Sequence, residues 1–171
     1  ETSSFSGNRA VAGGAVALVG GTIRGSAFAN NSAGSGGAVL STGDLDIVGS
    51  TFDGNVAASE GGAVYALTSG TLTTASTSSF SRNRAGYTGG GMRIREGTVT
   101  QSSFVGNRDS EGGAAISVYY YQYGPYAYVT VHSTLFSDNG GVASYSPTAG
   151  AISGAYQSAG YNAVPFLYSN F

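Results

Sequence analysis

Short stretches of alternating apolar and polar residues occur throughout the chain, separated by glycine and small polar residues. Met92-Arg93-Ile94-Arg95 is one such stretch, and alternation of this kind is typical of a strand with one buried face. No stretch keeps the 3.6-residue period of an amphipathic helix, and the 29 glycines would interrupt any long helix. The pattern therefore predicts an all-β domain built from many short strands.

These stretches recur with a period of about 24 residues. Phe-x-x-Asn occurs six times, with successive Phe residues 23, 24, 28, 24 and 32 positions apart, and a pair of glycines follows most copies. Several short strands per repeat predict the coil of a parallel β-helix, right-handed because parallel crossovers almost always are. We expect one domain over residues 1–171 with about 6–7 coils and insertions at about 74–79, 119–128 and 143–149.

Stacking of equivalent residues explains why the repeat keeps its Phe and its Asn. Each Phe is expected to point inward and stack on the Phe of the next coil, while each Asn occupies a left-handed corner and hydrogen-bonds along the axis. The glycine pairs mark another corner, and the alignment of Gly89-Gly90-Gly91 stays open between two choices. The predicted structural ladders are Phe5, Phe28, Phe52, Phe80, Phe104 and Phe136, and Asn8, Asn31, Asn55, Asn83, Asn107 and Asn139.

The Gly-Thr-apolar-polar segment before several Phe residues predicts two outer columns. One column holds Thr22, Asp44, Thr71 and Thr98, and the other holds Arg24, Asp46, Thr73 and Thr100, with the apolar residue between them pointing inward. Arg24 and Asp46 then lie on adjacent coils and can form an exposed ion pair, worth less than about 1 kcal/mol.

Composition narrows the function classes. Charged residues make up 9% of the chain, lysine is absent and the net charge is −2, which argues against a nucleic-acid binder held by a basic surface. The absence of cysteine excludes disulfides and thiol chemistry, and no apolar run reaches the ~20 residues of a membrane span. The chain begins at Glu1 without a signal peptide, so we expect a mature or excised segment, part of a larger assembly.

The paired motifs resemble a known repeat. Phe28-Ala29-Asn30-Asn31 is followed by Gly36-Gly37-Ala38-Val39, and Phe52-Asp53-Gly54-Asn55 by Gly61-Gly62-Ala63-Val64. This pair is similar to that of the chlamydial polymorphic outer membrane proteins and related surface β-helix repeats, and the resemblance extends over nearly the whole chain. It implies an extracellular or cell-surface β-helix, of the kind that serves as an adhesin.

Enzyme chemistry finds little support in the sequence. Asp44 and Asp46 share a strand face, and Glu60 and Glu111 both precede a glycine pair, but no cluster of carboxylates or metal ligands is evident. His132 is the only histidine, and no lysine is present to act as a base. We therefore expect no enzyme activity, no cofactor and no metal. A threonine array that binds ice is also disfavoured, because charged residues interrupt the columns.

Tyrosines are concentrated late in the chain, with ten of the twelve at or after position 119. A Gly-Pro turn between two Tyr-rich arms predicts a projecting hairpin. The alternatives are a loop that shields an apolar strand and a contact surface for a protein subunit or a sugar. The candidate contact surface comprises Tyr119, Tyr120, Tyr121, Tyr123, Tyr126 and Tyr128. Asn30-Asn31-Ser32 is a glycosylation sequon, so Asn30 is a possible N-glycosylation site.

Together these features favour a non-enzymatic extracellular structural protein, the building block of a surface fibre, sheath or appendage. Uncapped coil ends and a weakly charged surface favour self-association, head-to-tail or lateral. The alternative is an adhesin or carbohydrate-binding passenger domain with a cell-surface protein or glycan as partner. A polysaccharide lyase or hydrolase is the least favoured hypothesis.

Overall fold

A computed structural model describes residues 2–66, 72–119, 128–141, 152–153 and 156–158. All regular structure in these residues is β, and no helix that could span a membrane occurs among them. The strands are short because glycines and tight corners interrupt the chain every few residues.

Four parallel sheets run side by side along one axis, and each coil contributes one strand to each of them, except that the first coil adds none to the short sheet. The Phe sheet contains Ser4–Ser6, Ala27–Ala29, Thr51–Asp53, Ser79–Ser81, Ser103–Val105 and Leu135–Ser137. The short sheet contains Ser32–Ala33, Val56–Ala57, Arg84–Ala85, Arg108–Asp109 and Gly140–Gly141. The aliphatic sheet contains Val16–Leu18, Val39–Ser41, Val64–Ala66, Met92–Ile94, Ile116–Val118 and Ile152–Ser153. The threonine sheet contains Gly21–Arg24, Leu45–Val48, Leu72–Ser76, Glu96–Thr100, Val129–His132 and Tyr156–Ser158.

This arrangement confirms the predicted parallel β-solenoid with about 24 residues per turn. Every strand pair is parallel, and successive Phe residues are direct partners, as Phe80 is with Phe104. The described strands make about five turns, slightly fewer than the predicted 6–7 coils. The right-handed winding stays a prediction from the handedness of parallel crossovers.

The six Phe side chains form the predicted stack through the core. Neighbouring ring centroids are 4.6–5.3 Å apart and the ring planes agree within 11°. Five of the six rings are almost fully buried, and only Phe5, in the first coil, is partly exposed. Ile, Val and Met side chains of the aliphatic and threonine sheets complete the core. The spacing follows from the hydrogen-bonded distance between adjacent strands, about 4.8 Å, which is also a favourable distance between stacked rings.

The Asn ladder is also confirmed, and every amide in its middle is fully used. The side-chain oxygen of Asn83 accepts hydrogen bonds from the backbone and side-chain nitrogens of Asn55, each at 3.0 Å. Its side-chain nitrogen donates to the Asn107 oxygen and to the Phe52 carbonyl, each at 3.0 Å. Asn31, Asn55, Asn83 and Asn107 are all 0% exposed. The ladder therefore satisfies buried backbone groups at a corner where the sheets separate.

One detail of that corner was predicted wrongly. The left-handed residue is the one before each ladder Asn, for example Asn30 (φ 55°), Gly54 (φ 63°) and Arg82 (φ 53°). The ladder Asn itself is not among the residues with positive φ. The preceding residue makes the turn, and the turn aims the Asn amide inward along the axis.

The glycine pairs serve two different purposes. The first glycine has positive φ, as in Gly36 (φ 61°), and the second lies against the next coil. A Cβ on Gly37 would be 2.1 Å from the Gly62 carbonyl oxygen, so no larger residue fits there. The register aligns Gly89-Gly90 with Gly61-Gly62, which settles the open choice.

A second buried polar ladder was not anticipated. A serine hydroxyl two positions before a ladder Phe accepts a hydrogen bond from the backbone nitrogen of its counterpart one coil earlier, as Ser50 Oγ does from Ser26 at 3.2 Å. Ser78 and Ser102 continue the series at 3.1 and 3.2 Å. The sequence signal is Ser or Thr two residues before every ladder Phe: Ser3, Ser26, Ser50, Ser78, Ser102 and Thr134.

The insertion predicted at about 74–79 lies elsewhere. Residues 72–76 form a strand in register with both neighbours, with Ala75 opposite Ile47 and Val99. Three of the four extra residues of this 28-residue turn lie between Ala66 and Leu72, because Thr73 follows Ala66 by seven positions whereas Leu45 follows Ser41 by four. The fourth lies between Ala57 and Val64, which are seven positions apart whereas Ala33 and Val39 are six apart. The insertion expected at about 119–128 stays a prediction, because residues 120–127 lie outside the described residues. Residues 143–149 lie outside the described residues.

Candidate functional site

The outer face of the threonine sheet carries a row of polar residues in a different register from the predicted one. Thr22 lies opposite Asp46, Asp46 opposite Thr74, and Thr74 opposite Thr98. Arg24 lies opposite Val48, so the predicted pair of Arg24 with Asp46 is wrong. The predicted register of the second coil was wrong by two positions, because Leu45 pairs with Gly21 and not with Ile23.

In the third coil the prediction also assigned the wrong face of the strand to the core. Leu72 was expected inside and Thr73 outside, but Leu72 is 46% exposed and Thr73 is 1% exposed. The strand is shifted by one position relative to the predicted partner of Asp46, and an odd shift exchanges the two faces of a strand. Thr74, rather than Thr73, is consequently the neighbour of Asp46.

A groove of about 300 Å³ crosses this face over three successive coils. Asp46 accepts a hydrogen bond of 2.5 Å from the Thr74 hydroxyl through Oδ1. Asp44 accepts one of 2.9 Å from the Leu72 backbone nitrogen, also through Oδ1. Both carboxylates of the predicted Asp44–Asp46 face therefore open into one groove. Its lining residues are Gly21, Thr22, Asp44, Leu45, Asp46, Leu72 and Thr74.

A second polar cluster lies on the outer face of the aliphatic sheet. The Arg93 side chain is only 13% exposed, with its Nε 3.6 Å from Glu60 Oε1 and its guanidinium 5.1 Å from the centre of the Tyr119 ring. Arg93 Nη1 also donates to the Ser117 hydroxyl. Burial raises the pKa of the Tyr65 hydroxyl, and the nearby Glu60 raises it further. Arg93 thus fixes the side chain of Tyr119, the first tyrosine of the Tyr-rich segment.

The structure covers the ends of the predicted tyrosine surface. Tyr119 is half-buried against Arg93, whereas Tyr128 is 42% exposed and its carbonyl accepts a hydrogen bond from Gly97. The remaining members, Tyr120, Tyr121, Tyr123 and Tyr126, lie outside the described residues. The contact surface as a whole stays a prediction.

The other two carboxylates considered for catalysis, Glu60 and Glu111, lie in separate environments. Glu60 belongs to the Arg93 cluster, whereas Glu111 is exposed. His132 is exposed and its Nδ1 is 2.8 Å from the Ser133 hydroxyl. Within the described ranges no three His, Asp or Glu side chains are grouped as metal ligands.

Asp109 is a buried carboxyl that the sequence did not draw attention to. It occupies the inward column that holds Ala33, Ala57 and Ala85 in earlier coils, and it is 1% exposed. Its oxygens accept hydrogen bonds from the backbone nitrogens of Gly89 at 3.0 Å and Gly112 at 3.1 Å. Burial raises the pKa of Asp109 to about 6, despite these two donors.

Asn30 is oriented as a glycosylation site requires. It is exposed, with φ 55°, while Asn31 points inward as a ladder residue. Ser32 begins the next strand and is half-buried. Modification of Asn30 stays a prediction, because accessibility permits a glycan without demonstrating one.

One segment of the chain matches the model of a known repeat family. Residues 49–67 match the Chlamydia polymorphic membrane protein repeat, and they include Phe52, Asn55 and the glycine pair at 61–62. No curated protein matches the chain significantly, and neither does any solved structure. The matched residues form part of one turn of the solenoid. The chain is thus a β-solenoid in which residues 49–67 are similar to the Chlamydia polymorphic membrane protein repeat.

Proposed function

We propose that this chain is a non-enzymatic structural rod at the cell surface, a building block of a fibre, sheath or appendage. The observation that carries the proposal is that every interface between coils uses the same set of contacts. Three contacts link one coil to the next: stacked Phe rings, a hydrogen bond between Asn side chains, and a hydrogen bond from a backbone nitrogen to a serine hydroxyl. The series begins at Phe5, Asn8 and Ser3.

An interface of this kind does not depend on chain connectivity. Asn83 binds Asn107 through the same atoms by which Asn55 binds Asn83, although these residues are 24 and 28 positions apart. A coil from another copy, placed in the same register, would offer the same donors, acceptors and Phe ring. Strand addition to an exposed edge supplies main-chain hydrogen bonds, and stacked aromatic and amide ladders reinforce it. Axial assembly of copies is the expected consequence.

The surface charge also favours association. With 9% charged residues and a net charge of −2, two copies repel each other weakly. Part of this charge is already neutralised, since exposed Arg82 pairs with Asp53 and lowers the pKa of that carboxyl. Loss of assembly on moderate changes in salt is therefore not expected.

Electron microscopy of the purified chain tests the proposal directly. A dilution series imaged by negative stain should show filaments that lengthen with concentration and keep a constant width. Sedimentation velocity over the same series gives an independent measure of assembly. Isolated short rods at every concentration would contradict the fibre and leave the surface rod as a displayed adhesin.

The adhesin is the second candidate, and the position of Tyr119 favours it. Arg93 holds this ring on the outer face of the solenoid at the start of the Tyr-rich segment. Exposed tyrosines supply large, rigid contact area with little loss of conformational entropy. Replacing three of them with serine should abolish assembly or adhesion and leave the β-rich circular dichroism spectrum unchanged. The three positions are Tyr120, Tyr123 and Tyr126.

A triple variant that assembles and adheres like the parent would exclude this segment as the principal contact. Assembly through the coil interfaces alone would then remain. Loss of adhesion with intact filaments would assign the tyrosines to a partner rather than to the rod.

A further inference from the structure

The groove on the threonine sheet combines three kinds of surface in one small volume. Asp44 and Asp46 contribute carboxylates, Thr22 and Thr74 contribute hydroxyls, and the exposed Leu72 contributes an apolar wall. Gly21 borders the groove without a side chain, and a Cβ built there would meet nothing closer than 3.9 Å. The groove is open to solvent and is not a packing defect of the core.

The two carboxylates are held in place and still have free acceptor capacity. In each of them Oδ1 is engaged, by the Thr74 hydroxyl in Asp46 and by the Leu72 backbone nitrogen in Asp44. Among the described residues nothing donates to the second oxygen of either side chain. Acceptors that the protein itself orients can bind a ligand without a further loss of side-chain entropy.

We propose that this groove binds a neutral saccharide unit. Adjacent hydroxyls of a sugar ring would donate to the free oxygens of Asp44 and Asp46, and the apolar C–H face of the ring would pack on Leu72. The Thr22 and Thr74 hydroxyls can donate and accept at the rim. This site is independent of coil-to-coil assembly, since its residues lie on the outer face.

The size and ligand set favour a sugar over a metal ion. Ca²⁺ takes about 6–8 oxygen ligands. Here one oxygen of each of the two carboxylates already accepts a hydrogen bond from the protein. A volume of about 300 Å³ is near the lower limit for small-molecule sites, so the groove accommodates a single sugar ring. Such a shallow site binds one unit weakly, and several copies along a surface rod would compensate through avidity.

A glycan array followed by NMR titration tests the site. The array should pick out at least one neutral glycan, and titration with the methyl glycoside of its terminal sugar should shift the backbone amides of Leu72 and Thr74. The Leu72 amide is the most direct reporter, because it donates to Asp44. We expect saturable shifts confined to the groove.

Asp46→Asn is the informative variant. Asparagine keeps Oδ1 as the acceptor for Thr74, so the coil is preserved, but the replaced oxygen becomes a donor and affinity should fall at least about tenfold. Asp138→Asn is the matched control: it removes the same charge at an exposed site outside the groove, where φ is 52° and asparagine is tolerated.

Three results would overturn the proposal. They are no binding to any neutral glycan of the array, equal binding by the Asp46→Asn variant, and the same amide shifts on adding CaCl₂ alone. Filament formation is measured separately, so the failure of this proposal is distinguishable from the failure of the structural rod.

Discussion

Replacing Asn83 with alanine removes four buried hydrogen bonds from the middle of the Asn ladder. The main cost arises on Asn55, whose backbone N–H and one side-chain N–H both lose their acceptor. The Asn107 oxygen keeps its second donor, the backbone nitrogen of residue 83. A buried donor left unpaired costs about 1–3 kcal/mol, so two of them predict a loss of about 2–6 kcal/mol in the free energy of unfolding.

Chemical denaturation followed by circular dichroism measures this loss, and Asn8→Ala is the matched control. Asn8 lies at the exposed end of the same ladder, and its side chain donates to Asn31. No described residue donates to its side-chain oxygen, so the same substitution there should cost less than about 1 kcal/mol. Equal losses for the two variants, or a neutral Asn83→Ala, would refute the claim that the ladder stabilises the solenoid through buried amides.

Three further predictions concern single residues. Phe80→Ala should cost about 3–5 kcal/mol, because Phe80 is 0% exposed between two stacked rings; a loss below about 1 kcal/mol in denaturant melts would contradict the stack. The raised pKa of Asp109 favours the folded state below about pH 4, and this contribution of up to about 3 kcal/mol is lost as the pH rises through 6; Asp109→Asn should flatten thermal stability between pH 4 and 7. Natively sourced protein from a eukaryotic secretory pathway should carry a glycan at Asn30, and an intact mass without added hexose would exclude it.

The repeat could be predicted from the sequence because several positions in each coil tolerate only one residue type. Phe in the core, Asn at the buried corner and Gly where two backbones approach within van der Waals contact each recur with the same spacing. The Ser/Thr ladder had an equally regular signal two residues before Phe, but hydroxyls are common throughout this chain and the pattern was overlooked.

The outer columns were harder to predict, and the groove depends on them. Thr, Ser and Asp are all acceptable on an exposed strand face, so the sequence offers little to fix their register. In the third coil, the extra residues between Ala66 and Leu72 moved the strand by an odd number of positions. Thr73 was consequently assigned to the surface and Leu72 to the core, and the contact of Thr74 with Asp46 was missed.

The account depends most directly on the register in which the coils stack, and cysteine cross-linking tests it in a chain without native cysteine. Ser79 and Ser103 are direct partners on adjacent coils, with their hydroxyl oxygens 3.2 Å apart. Ser79→Cys with Ser103→Cys should form an intramolecular disulfide on mild oxidation, because partners on neighbouring strands lie about 4.8 Å apart, within disulfide range. Ser79→Cys with Val105→Cys, offset by two residues to about 8 Å, should remain reduced. Cross-linking of the offset pair, or none in the aligned pair, would contradict the solenoid register described here.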